Sequence, residues 1–141
     1  ALRRDRAANR HDLAAAIEAY NRFISTYGTH VSLLGLVYQK LGYAYQLKGD
    51  LEQAVKAYST ILEIPGAMNR DHALFEAARL EENRSKPDEA LKHYQELMKT
   101  YPNSPLTSEA AMRVKVMEAK KNPDPAPAAP ALSAPPKPSK P

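Results

Sequence analysis

One nine-residue pattern occurs three times in this chain, at Asp12–Tyr20, Asp50–Tyr58 and Lys86–Tyr94, with Ala in the fifth place, an aliphatic residue in the sixth and Tyr in the ninth. The steps from Tyr20 to Tyr58 and from Tyr58 to Tyr94 are 38 and 36 residues. A unit of that length is a helix pair whose apolar face is too large to leave in water and too small to form a core, so copies must stack to bury it. The chain is therefore expected to be all-α, a solenoid of antiparallel helix pairs.

The aligned positions say which face is buried. Leu13/Leu51, Ala16/Ala54/Ala90, Ile17/Val55/Leu91, Tyr20/Tyr58/Tyr94, Phe23/Ile61/Leu97 and Ile24/Leu62/Met98 follow one another at three- and four-residue spacing and share one helical stripe. Alanine in all three copies marks the place where two helices cross most closely.

Punctuation predicts helices at about residues 2 to 9, 12 to 26, 30 to 48, 51 to 63, 70 to 84, 87 to 100 and 105 to 120, the last closing the stack as a cap. Asp50 with Gln53 reads as a capping box. Ser85 with Asp88 reads as a similar start, Pro87 lying in the first turn, and Asp12 reads as another cap. Pro105 is placed at the first position of the last helix, and Gly28, Gly49 and Gly66 mark stops. No segment alternates with period two for long enough to be a strand.

Two segments follow from composition: a helical repeat domain over residues 1 to 121 and a tail over 122 to 141. The tail holds eight of the 12 prolines and, apart from Leu132, almost no large apolar side chain. Such a composition buries too little surface to offset its ordering entropy and predicts a disordered or polyproline-like spacer. Pro135-Pro136-Lys137-Pro138 also has the makings of a ligand for a proline-binding domain.

The net charge of +4 resides at the ends: residues 11 to 105 carry ten Lys/Arg against twelve Asp/Glu. A nucleic-acid reader concentrates its cations on one face of the folded body, so nucleic acid is not the expected partner. Absence of Cys removes disulfides, thiol nucleophiles and thiolate metal sites. The longest strongly apolar run, Leu33 to Tyr38, is too short for membrane insertion.

Catalytic constellations are thin. His72 with Glu76 and Glu89 with His93 are four-residue pairs lacking a third ligand, the signature of surface partners rather than a metal site. No Gly-rich phosphate loop or serine-nucleophile motif occurs. No enzyme activity, cofactor or metal is expected.

Tyr38-x-x-Leu41-Gly42-x-x-Tyr45, then Ala54-x-x-x-Tyr58, then Pro65 resembles the tetratricopeptide repeat, with its aromatic, Leu-Gly, Tyr, Ala, aromatic and Pro over about 34 residues. The resemblance implies a protein-binding adaptor. Glu81 stands where that family prefers Tyr, which predicts looser packing of the helix carrying Leu74, Ala77 and Ala78. The first copy lacks most of its opening helix and the sequence starts without Met, as expected of a piece of something longer. The junction Tyr101-Pro102-Asn103-Ser104-Pro105 into an Ala-rich helix is similar to tetratricopeptide proteins of the bacterial cell envelope that serve outer-membrane assembly, the Tol-Pal system and the secretion translocon. That likeness implies a periplasmic or envelope-associated location, with the cytoplasm as the alternative.

The helix over residues 30 to 48 is apolar on two faces, with Tyr38, Leu41 and Tyr45 on one stripe and Leu36, Tyr43 and Leu47 on the other. In tetratricopeptide proteins the first helix of each pair lines a concave groove. The resemblance therefore makes Leu36, Gln39, Tyr43, Gln46, Phe75, Arg79 and Glu82 the residues that hold a peptide or protein segment. The competing reading is that an upstream helix, or a second copy in a homodimer, covers that face. Gln39, Tyr43, Phe75 and Arg79 stand where carboxylate-clamping relatives place Lys and Asn, so a clamp of that kind is not expected.

Overall fold

The computed structural model describes residues 2–122, with side chains from residue 9 onward. Six helices occur among them: α1 (Leu2–Tyr27), α2 (Val31–Lys48), α3 (Leu51–Glu63), α4 (Arg70–Asn83), α5 (Pro87–Thr100) and α6 (Thr107–Lys121). Each packs chiefly on its neighbours in sequence, α1 on α2 through α5 on α6, which is the solenoid order the repeat demands. The expected tail falls almost wholly on residues 123–141, outside the described residues.

The buried stripe is the one the alignment selects. Ala54 and Ala90 are fully enclosed, as are Tyr94, Ile61 and Leu97, with Tyr58 at 1% exposure. Ala16 and Tyr20 of the first copy are only half-buried, because α1 is the first helix of the described stack and packs chiefly on α2. Gly42 explains why α2 and α3 approach so closely: a Cβ there would sit 2.9 Å from two ring atoms of Tyr58. Asp50 caps α3 by accepting from the Gln53 backbone N–H at 3.2 Å, and Gly49 ends α2 with φ of 89°, a left-handed conformation that glycine adopts without Cβ strain.

Four local expectations fail, each for a physical reason. The helices expected at 2 to 9 and 12 to 26 are one helix: nothing between Leu2 and Tyr27 is Gly or Pro, and the Ala-rich run from Ala14 to Ala16 favours continuation. Asp12 is thus inside α1 and caps nothing. Ser85 takes φ of 59° in the turn after α4, while Lys86 occupies the cap position of α5 without a side-chain bond; Pro87 at the first turn sets that start instead. Pro105 precedes α6, which begins at Thr107, because the Ser104 hydroxyl first closes a turn by accepting from the Leu106 N–H at 3.2 Å.

The fourth concerns Glu81, which does not loosen α4. Ala73, Leu74, Phe75, Ala77, Ala78 and Leu80 are all buried, and Glu81 itself is 2% exposed, with Arg84 Nη1 3.5 Å from its carboxylate. The aliphatic stem of Glu packs while its charge reaches a cation at the helix end. Beyond α4, α6 closes the larger core cluster with Ala110, Val114 and Met117, but its outer side leaves Met112 and Val116 exposed.

Candidate functional site

The groove lies between α2 and α4. Asn69, just before α4, fixes their separation: its Nδ2 donates to the Gly35 carbonyl at 3.1 Å and to Gln39 Oε1 at 2.8 Å. Two clefts open on either side of Gln39. The first, of 320 Å³, is bounded by Val31, Gly35 and Leu36 of α2 and by Pro65, Ala67 and Met68 of the α3–α4 loop. The second, of 260 Å³, is lined from α2 by Gln39, Lys40, Tyr43 and Gln46, from α4 by His72, Glu76 and Arg79, and at its base by Tyr58 of α3.

Five of the seven expected groove residues therefore meet here: Leu36 and Gln39 in the first cleft, Gln39, Tyr43, Gln46 and Arg79 in the second. Leu36 and Tyr43 are 52% and 56% exposed. Two large apolar side chains, one helical repeat of seven residues apart on the same face of α2, are thus open to solvent.

Phe75 and Glu82 are placed otherwise. Phe75 is buried, its ring edge-on to Tyr94 with centroids 5.7 Å apart, because α6 packs over this side of α4 and contributes Ala110, Val114 and Met117 to the same cluster. Glu82 is committed to that packing: its carboxylate accepts from the Tyr94 hydroxyl at 2.8 Å and from Arg113 of α6 through both Nε and Nη2. Burial pushes the Glu82 carboxyl upward, yet the bonds from Arg113 and Tyr94 outweigh it and hold the group below the ordinary carboxylate range. The same contacts raise the Tyr94 hydroxyl, through burial first and the Glu82 carboxylate second. Glu82 locks α6 to α4 rather than facing the two clefts.

Sequence reasoning passed over Lys40, Tyr58, His72 and Glu76 as site residues. His72 and Glu76 were legible as a pair, and their Nε2 and Oε1 atoms stand 4.0 Å apart, with Arg79 Nη1 3.6 Å from the same oxygen. Tyr58 was legible only as core. Burial, followed by the Glu76 charge, pushes its hydroxyl up to about 12, so it is a protonated donor at neutral pH. The site can thus offer hydrogen-bond donors, two cations and an exposed aromatic face. Among the described residues no group of three or more His, Cys, Asp or Glu is arranged to hold a metal ion, and no helix is long and apolar enough to cross a membrane.

Two family models, each described as tetratricopeptide repeat, match residues 36–67 and 72–104. No curated protein matches the chain. The first match spans most of α2 and all of α3, the second most of α4 and all of α5, so the clefts sit between the first helices of two successive repeats. Residues 36–67 and 72–104 are tetratricopeptide repeats, which indicate a protein–protein interaction adaptor.

Proposed function

We propose that this domain is a non-enzymatic adaptor that holds a peptide or protein segment in the groove between α2 and α4, with Leu36, Gln39, Tyr43, Gln46 and Arg79 as its contact residues. The observation that carries this reading is the exposure of Leu36 and Tyr43 beside a donor-lined cleft, since aromatic and Arg side chains combine large contact area with polar ends. Phe75 and Glu82 support the groove from behind. The adaptor works in a bacterial envelope assembly or secretion pathway in the periplasm; the support for this is the Tyr101-Pro102-Asn103-Ser104-Pro105 junction. The test is partner capture from an envelope lysate. Tyr43→Ala and Arg79→Ala should each lose the captured protein while melting nearly as the parent, because both side chains are about half exposed; retained capture by both variants rejects the groove.

A second reading is self-association. Tyr27, Val31, Leu33 and Leu47 are exposed at the same end of the stack as Leu36 and Tyr43, and a second copy could cover them. A light-scattering mass of one chain at high concentration rejects it.

A further inference from the structure

The two clefts differ in chemistry, and the difference names the class of segment they fit. The first is walled mainly by Val31, Leu36, Pro65, Ala67 and Met68, with the Ser32 hydroxyl beside them, and the amide of Asn69 is spent on Gly35 and Gln39. It suits an aliphatic side chain. The second gathers donors in excess: Arg79, Lys40, the Tyr58 hydroxyl and the Gln39 amide nitrogen, whose oxygen is already engaged by Asn69, against the Glu76 carboxylate and the buried, unpaired Gln46 Oε1. Glu76 is its one carboxylate and is 14% exposed, with Arg79 and His72 on it. Lys40 has no ion-pair partner among the described residues. A cation entering this cleft would meet Arg79 and Lys40, whereas a carboxylate would find both, with charge-assisted hydrogen bonds.

Resting on the groove reading above, we infer that the domain selects an extended acidic segment, seating an aliphatic side chain against Leu36 and Met68 and a Glu or Asp side chain between Lys40 and Arg79. Spacing follows from α2. The clefts centre near residues 35 and 43, a rise of about 12 Å at about 1.5 Å per residue. An extended segment covers that in about four residues at about 3.3 Å each, and its side chains return to one face every second residue. The recognised pair is therefore an aliphatic residue and an acidic residue with three residues between them.

The test uses fluorescein-labelled nonapeptides of Gly and Ser carrying Leu at the third place and Glu at the seventh, with three twins: Gln for Glu, Ala for Leu, and Glu moved one place along. Fluorescence anisotropy should show the parent peptide binding at least fivefold tighter than each twin, with the Glu preference shrinking as salt rises to about 0.15 M. Arg79→Gln should abolish discrimination between Glu and Gln while keeping that between Leu and Ala, and Leu36→Ala should do the reverse. Equal binding of the Glu and Gln peptides overturns the acidic selection and leaves the groove standing. Binding of none of the four overturns the two-point motif, while capture by Tyr43→Ala, measured separately, decides the groove itself.

Discussion

Gly42→Ala should destabilise this protein even though alanine is the better helix former, and the structure says by how much. Helix propensity alone favours Ala by about 0.5–1 kcal/mol. Against it, the new Cβ would lie 2.9 Å from Cε2 and Cζ of Tyr58 and 3.1 Å from Cδ2, where carbon atoms prefer about 3.5–4.0 Å. The ring has little freedom to retreat: Tyr58 is 1% exposed and stands edge-on to His72 at 6.3 Å. Overpacking of this kind costs about 1–3 kcal/mol, leaving a net loss of about 1 kcal/mol. In thermal melting that corresponds to about 3–5 °C. The decisive control is Tyr58→Leu, which removes the clashing ring; on that background Gly42→Ala should become stabilising by about 0.5 kcal/mol in urea titrations, its propensity gain no longer opposed. A Gly42→Ala effect of the same sign and size on both backgrounds would refute the reasoning.

Ala54→Leu should lower stability by about 1–3 kcal/mol by forcing apart helices that leave Ala54 no exposed surface, whereas the exposed Lys56→Ala should change it by less than about 0.5 kcal/mol; equal melting curves would contradict the shared alanine slot. Because the folded-state pKa of Glu82 is depressed, its ionised form contributes stability that is present above the ordinary value of 4.5 and is lost as pH falls through the lower folded value. Glu82→Gln should therefore melt lower at neutral pH and show a shallower acid decline below 4.5, and parallel melting-versus-pH curves for the two proteins would count against the Arg113 lock.

The parts of this fold that a sequence shows are those set locally or repeated. The alanine slot at Ala54 and Ala90, the Asp50 cap and the Gly49 stop each depend on a few neighbouring residues, and each holds. Ser85 misled because serine is a favoured helix cap and seldom takes positive φ, yet here it adopts the left-handed turn that ends α4. Phe75 and Glu82 misled for a longer-range reason. They stand in α4 as Gln39 and Gln46 stand in α2, but α6 packs over α4 on that side and draws Phe75 into the core cluster and Glu82 onto Arg113. No spacing within α4 announces that. Lys40, His72, Glu76 and Tyr58 come together only when α2, α3 and α4 are assembled, so the donor-lined cleft belongs to the tertiary structure rather than to any motif.

The central claim, that the α2–α4 groove receives a segment of another protein, is tested most directly by a photo-crosslinking side chain at Tyr43, which is 56% exposed over the cleft. Irradiated in a whole-cell lysate and resolved by mass, the adduct should consist of one copy of this chain joined to a different protein, and the crosslinked peptide should carry an acidic residue. An adduct of two copies of this chain, or none above the level seen with the same probe at Lys56, would contradict it.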